Sequence, residues 1–161
     1  MTELQLLIDQ LRRMYEGNAW HGPSLREALD GVSFELATER LGQSDHNILD
    51  LVHHMAAWTG EVHARLNGRA PQLPDEGDFP TRAGVPTEAD WDVVRQRLDT
   101  QQATLLADLE FLDPARLQEI AAGTPASSGN ERSLLSVLHG LVQHNAYHIG
   151  QVVLIRRALG A

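Results

Sequence analysis

Apolar residues recur along this chain at steps of three and four, the period of a helix with one buried face. Leu4, Leu7, Ile8, Leu11 and Met14 carry that pattern through residues 2–16. Thr2 with Gln5 three positions later has the form of a capping box, and Gly17 supplies a stop. Ser24 and Glu27 repeat the cap and predict a short helix ending at Leu29. Over residues 31–43 the periodicity fades, which predicts a loop. A second long helix is predicted over residues 44–67, with Ile48, Leu51, Val52, Met55, Trp58, Val62 and Leu66 as its stripe and Gly68 as its end. Residues 69–86 contain Pro71, Pro74, Pro80 and Pro86 and read as a long loop, of a length that commonly forms the rim of a site. Thr87 caps a third long helix on Trp91, Val94, Leu98, Leu105 and Leu109, which stops near Asp113 and Pro114. A short turn over residues 115–120 and a polar loop over residues 123–129 follow. Asn130 is the predicted cap of the last helix, whose apolar run extends from Leu134 to Leu159 and closes at Gly160. Arg156 and Arg157 fall in its final turn, where positive charge suits the helix dipole. No stretch alternates as a strand does. The pattern predicts an all-α four-helix bundle with long connecting loops, in one domain over residues 1–161.

Composition narrows the chemistry. The chain carries 22 acidic and 13 basic residues, a net charge of −9, and such a surface repels phosphate backbones and argues against nucleic acid as a partner. Every basic residue is Arg, so no lysine is present to form a Schiff base. There is no cysteine, so a metal must bind through imidazole or carboxylate. The opening residues lack the basic flank and apolar segment of a signal peptide, and no run of 18 apolar residues exists to span a membrane. The expected location is cytoplasmic, with a small-molecule substrate. The outer surface of the last helix, including Leu154, motivates the expectation of a homodimer.

Eight histidines remain to be sorted, at positions 21, 46, 53, 54, 63, 139, 144 and 148. His144 and His148 lie four apart, so a helix stacks them on one face one turn apart, where two imidazoles can chelate one ion. On the second long helix the apolar stripe centres roughly 100° from His54 and roughly 160° from His53, so His54 borders the core and His53 points away. The inward set is His54, His144 and His148, from two helices. A Glu-x-x-His pair of the di-iron bundles is absent, and Asn145 stands where a zincin would place its glutamate. Three neutral imidazoles with open positions suit Zn²⁺ or Ni²⁺, in the form of a catalytic rather than a structural site. Asp50 and Gln151 are the polar residues best placed to hold free imidazole N–H groups, Asp50 on His54 and Gln151 on His144, with Trp58 and Glu61 also near the direction of His54. His21 sits in a Trp-His-Gly-Pro turn, either as a packing turn or as a donor lining the pocket. Trp20, Trp58 and Trp91 read as core residues, and Trp58, one turn from His54, is also placed to wall the pocket.

Two stretches resemble the DinB/YfiT-like proteins. One is Ile48-Leu49-Asp50-Leu51-Val52-His53-His54-Met55-Ala56-Ala57-Trp58; the other is His144-Asn145-Ala146-Tyr147-His148-Ile149-Gly150-Gln151. The turns Trp20-His21-Gly22-Pro23-Ser24-Leu25 and Gly77-Asp78-Phe79-Pro80 are similar too. The resemblance implies a four-helix bundle that holds a divalent metal on three histidines, a motif that falls here on His54, His144 and His148. Relatives include transferases and isomerases that use a low-molecular-weight thiol such as bacillithiol or mycothiol, and others described as hydrolases. A bound metal deprotonates a thiol and lowers the pKa of water, so both reactions suit such a centre. With no cysteine, no lysine and no Gly-x-Ser-x-Gly elbow, the nucleophile is expected to be exogenous. Thiol-dependent S-transfer is the leading expectation. Hydrolysis, with Glu61 or a bound hydroxide as base, and a non-catalytic bundle that binds a metal or small ligand are the alternatives.

Overall fold

The computed structural model describes residues 1–79, 84–120 and 132–160. The described chain is all-α. Its elements in order are α1 (Glu3–Glu16), α2 (Leu25–Leu29), α3 (Phe34–Thr38), α4 (Ile48–Leu66), α5 (Glu88–Glu110), a 3₁₀ turn (Pro114–Gln118) and α6 (Leu134–Ala158). The only extended pairing among described residues is an isolated bridge between Ile120 and Ser133.

Side-chain caps set where the helices begin. Thr2, Ser24, Asn47 and Thr87 each accept from the backbone N–H three residues on, and each is answered by Gln5, Glu27, Asp50 or Asp90 in a full capping box. Two predicted starts move. The second long helix begins at Ile48 under Asn47, not at Ser44, because the Ser44 hydroxyl is spent on the His46 carbonyl (2.8 Å) in the preceding turn. The last helix begins at Leu134 under Ser133, whose hydroxyl accepts from Ser136 N–H at 3.2 Å. Asn130, Pro80 and the polar loop over residues 123–129 lie outside the described residues. The predicted loop over residues 31–43 contains α3, five residues capped by Ser33 with Ala37 as its buried residue. One turn is too short to display a period.

Four long helices enclose one apolar cluster: α4 packs on α5 and α6, and α1 packs on the same two. Leu7, Leu11, Leu49, Met55, Leu105, Leu109, Leu138 and Ile149 are among its fully buried side chains. Helices α4 and α5 approach closely at Gly60, where a Cβ would come within 3.1 Å of the Gln101 side chain. Gln102 completes the buried stripe of α5 and donates to the Leu11 carbonyl at 3.3 Å. The segment after α4 folds back along that helix. The carboxylate of Glu61 accepts from Arg65 Nε (2.9 Å), from Arg69 and from Gln72 N–H (3.2 Å), and Arg65 donates to the Gln72 carbonyl at 2.9 Å. That anchor carries Asp78 and Phe79 over the middle of α4. No helix among the described residues is long and apolar enough to cross a membrane.

Candidate metal centre

The α4–α6 interface brings His54 together with His144 and His148. His54 and His148 are buried and His144 half-buried. Their Nε2 atoms converge: His54 to His144 is 2.8 Å and His148 to His144 is 3.1 Å. The other ring nitrogens face oxygen acceptors. His54 Nδ1–H donates to the Asp78 carbonyl (2.5 Å), His148 Nδ1–H to Gln151 Oε1 (2.6 Å), and His144 Nδ1–H to Asn145 Oδ1 (3.3 Å). A neutral imidazole has one donor and one acceptor nitrogen. With each Nδ1 committed as donor, all three Nε2 atoms present lone pairs to one point, with no hydrogen between them. That arrangement is repulsive until a cation enters it. Zinc–nitrogen bonds of about 2.0–2.1 Å place tetrahedral ligands about 3.3 Å apart, close to the spacing seen. The donor set fits a borderline divalent ion, and it is a group of metal-ligating type whose members lie within 4.8 Å of one another.

Rings that must stay neutral are also held in an environment that keeps them so. Burial lowers the His144 pKa to about 4, helped by the neighbouring His148 and His54. Burial lowers those of His54 and His148 too, against a partial opposing pull from Asp78 on the first and Gln151 on the second. Because these values are depressed relative to the unfolded chain, the unfolded state takes up more protons as pH falls below the ordinary histidine range. The stabilisation is complete above about pH 6.5 and is lost as pH drops toward 4. Metal-free protein is therefore expected to show a melting temperature that falls across that window, and His144→Gln is expected to flatten the fall. Thermal melts from pH 7.5 to pH 4.5 check both.

The loop that α4 anchors completes the centre. Phe79 lies flat against His54, centroids 4.1 Å apart, and His46 stacks on its other face at 3.6 Å. The imidazole of His54 is thus clamped between a carbonyl at its edge and an aromatic ring on its face. Trp58 Nε1–H donates to Asp78 Oδ1 at 2.9 Å and fixes the carboxylate above the site. A cavity of about 570 Å³ opens from the centre, walled by His54, Trp58, Val62, Leu141, His144 and His148 among others.

Several expected roles move. Asp50 closes the α4 capping box with Asn47 and lies 3.9 Å from Arg40; the partner of His54 is the Asp78 carbonyl instead. Gln151 serves His148, three residues before it on the helix, rather than His144 seven before it. Glu61 is turned onto Arg65 and Arg69 and does not line the cavity. His21 is exposed and outside the cavity. Trp91 is core as expected, but Trp20 is fully exposed and Trp58 walls the cavity. His53 faces α5, 3.5 Å from Arg97. Asp78, Phe79 and Asn145 do work at the centre that periodicity could not reveal, since two sit in an irregular loop and the third reads as an ordinary core position.

Comparison with known proteins agrees with this geometry. The profile of the DinB superfamily matches residues 19–152, which includes all three histidines and the Asp78–Phe79 loop. No curated protein and no solved structure gives a significant match. The profile covers most of the chain, and the chain belongs to the DinB superfamily.

Proposed function

We propose that the protein is a divalent-metal-dependent enzyme in which His54, His144 and His148 hold the ion and an exogenous nucleophile, a low-molecular-weight thiol, attacks an electrophilic small molecule in an S-transfer. The observation that carries this reading is the convergence of three Nε2 atoms at the end of a cavity in a chain that has neither cysteine nor lysine to act as nucleophile. A Zn²⁺ or Ni²⁺ ion supplies Lewis acidity there and favours the thiolate form of a thiol at neutral pH. The chain's own part is preorganisation. The Asp78 carbonyl, Gln151 and Asn145 fix each ring in the Nδ1–H tautomer, Phe79 holds the plane of His54, and Trp58 and Leu141 exclude water along the wall. Three neutral ligands leave the ion's charge undiminished, which suits an anionic nucleophile.

Asp78 favours a second reading, hydrolysis. It is the single carboxylate among the described residues lining the cavity, and Trp58 orients it. It is better placed than Glu61 to accept a proton from water. The test is turnover of a panel of electrophiles with thiols and with water, using metal-loaded, metal-free and His148→Ala protein. Thiol-dependent turnover by the loaded protein alone is the expected result. Water as sole nucleophile, with thiols inhibiting, selects hydrolysis. Equal rates from all three preparations select a non-catalytic metal- or ligand-binding bundle.

A further inference from the structure

The cavity is a groove with two chemically different ends. On α4 it is lined by His54, Trp58, Val62 and Arg65; on α6 by His148, His144, Gly140 and Ser136, each four residues from the next. That spacing draws an inclined row along the helix surface, and from His144 to Ser136 it rises about 12 Å along the axis. The histidines occupy one end. Trp58, Val62, Val137 and Leu141 make the middle apolar. Arg65 and Arg132 occupy the far end.

The two guanidiniums differ in a useful way. Arg65 is held rigid, by Glu61 at 2.9 Å, by the Gln72 carbonyl at 2.9 Å and by the Trp58 ring 5.7 Å beneath it. Glu61 is shared with Arg69, so it does not neutralise Arg65 completely. Arg132 makes no hydrogen bond or ion pair with any described residue and is exposed at the rim. In a chain of net charge −9, an arginine at the mouth of an apolar groove with no partner among the described residues is a selective feature.

Gly140 supplies an independent observation. A glycine inside a helix is unfavourable relative to alanine. Here no turn and no close packing requires it, because a Cβ at Gly140 would meet nothing within 4 Å. What it would do is enter the groove that Gly140 lines, midway between the histidines and Ser136.

We infer that the groove takes an elongated substrate with an apolar body and an anionic terminus, the anion seated at Arg132 and Arg65 and the reacting end at the three histidines, with Gly140 keeping the passage between them open. This inference rests on the proposed function for the identity of the reacting end. Arginine is suited to a carboxylate or phosphate through paired N–H donors, and the paired, stacked Arg65 presents its remaining donors without further ordering.

Straight-chain alkanoates from hexanoate to dodecanoate, with the matching alkanols and alkylammonium ions, are suitable probes, titrated by calorimetry into metal-free protein. Alkanoates should bind about tenfold tighter than alkanols of equal length, and each added methylene should tighten binding roughly fourfold until the groove is filled. Alkylammonium ions should bind no better than alkanols. Arg132→Gln should abolish the preference for the carboxylate. Gly140→Leu should shorten the chain length at which affinity stops rising; helix content by circular dichroism confirms that this variant folds, which the loss of a helical glycine favours. Equal binding of alkanoate and alkanol, no binding of either, or an unchanged length profile in Gly140→Leu overturns the inference. His148→Ala separates it from the proposed function: retention of carboxylate preference with loss of metal supports both. A wild-type protein that binds no metal yet keeps the preference overturns the metal centre alone.

Discussion

Alanine at any one of His54, His144 or His148 is expected to weaken divalent-metal binding by more than about 100-fold. The floor comes from outer partners of metal-bound imidazoles, whose loss alone costs 10–100-fold; loss of a ligand must exceed that. Gln151→Ala removes only the acceptor that holds the His148 ring and should cost about tenfold. His53→Ala should leave binding unchanged, because that ring faces Arg97 on α5, on the other side of α4. Equilibrium dialysis followed by elemental analysis, on protein purified without a histidine tag, measures all five. If His53→Ala lost the metal and His54→Ala kept it, the register of the site along α4 would be wrong by one residue. The affinity should also fall with pH, since a proton and a metal compete for the same Nε2 atoms, but the low pKa of His144 extends binding below the range of an exposed histidine.

The helices were legible in the sequence because each buries a face, and burial writes a period. Leu4, Leu7, Leu11 and Met14 are buried on α1 where the three- and four-residue steps place them, and so are Trp91, Val94, Leu98, Leu105 and Leu109 on α5. The same logic separated His54 from His53, since one step around α4 is the difference between the core border and the α5 side. Capping was legible in kind but ambiguous in position. Ser44 and Asn47 are both competent caps, and the choice between them depends on a turn at His46 that leaves no periodic trace. The outer partners of the histidines were legible only in part. Gln151 could be named because it sits on the same helix, though its position on the helix points toward His144 while its side chain serves His148. The Asp78 carbonyl could not, because a backbone group carries no sequence signal and its position depends on a loop tied down by Glu61, Arg65 and Arg69.

That anchor is the basis of the second large effect. The Glu61 side chain is fully buried and is met by two guanidiniums and the Gln72 N–H. Glu61→Gln keeps the shape, removes the charge and turns an amide N–H₂ toward one of the arginines. Breaking a buried ion pair by removing one partner costs about 3 kcal/mol. In a chain of this length that corresponds to a fall of roughly 6–12 °C in melting temperature. The consequence at the metal centre is indirect: a loosened loop holds Asp78 and Phe79 less firmly against His54, so metal affinity should drop about tenfold, as for any weakened outer partner. Turnover of metal-saturated protein, measured well below the melting temperature, should stay within about tenfold of the parent. A general base behaves in the opposite way. Its loss typically costs 10²–10⁴ in rate and need not touch stability. Thermal melts and saturating-metal kinetics on the same Glu61→Gln preparation therefore discriminate cleanly. A stable variant with its turnover abolished would return Glu61 to the chemistry, while an unstable variant that still turns over would leave it as the residue that holds the loop carrying Asp78 and Phe79 against α4.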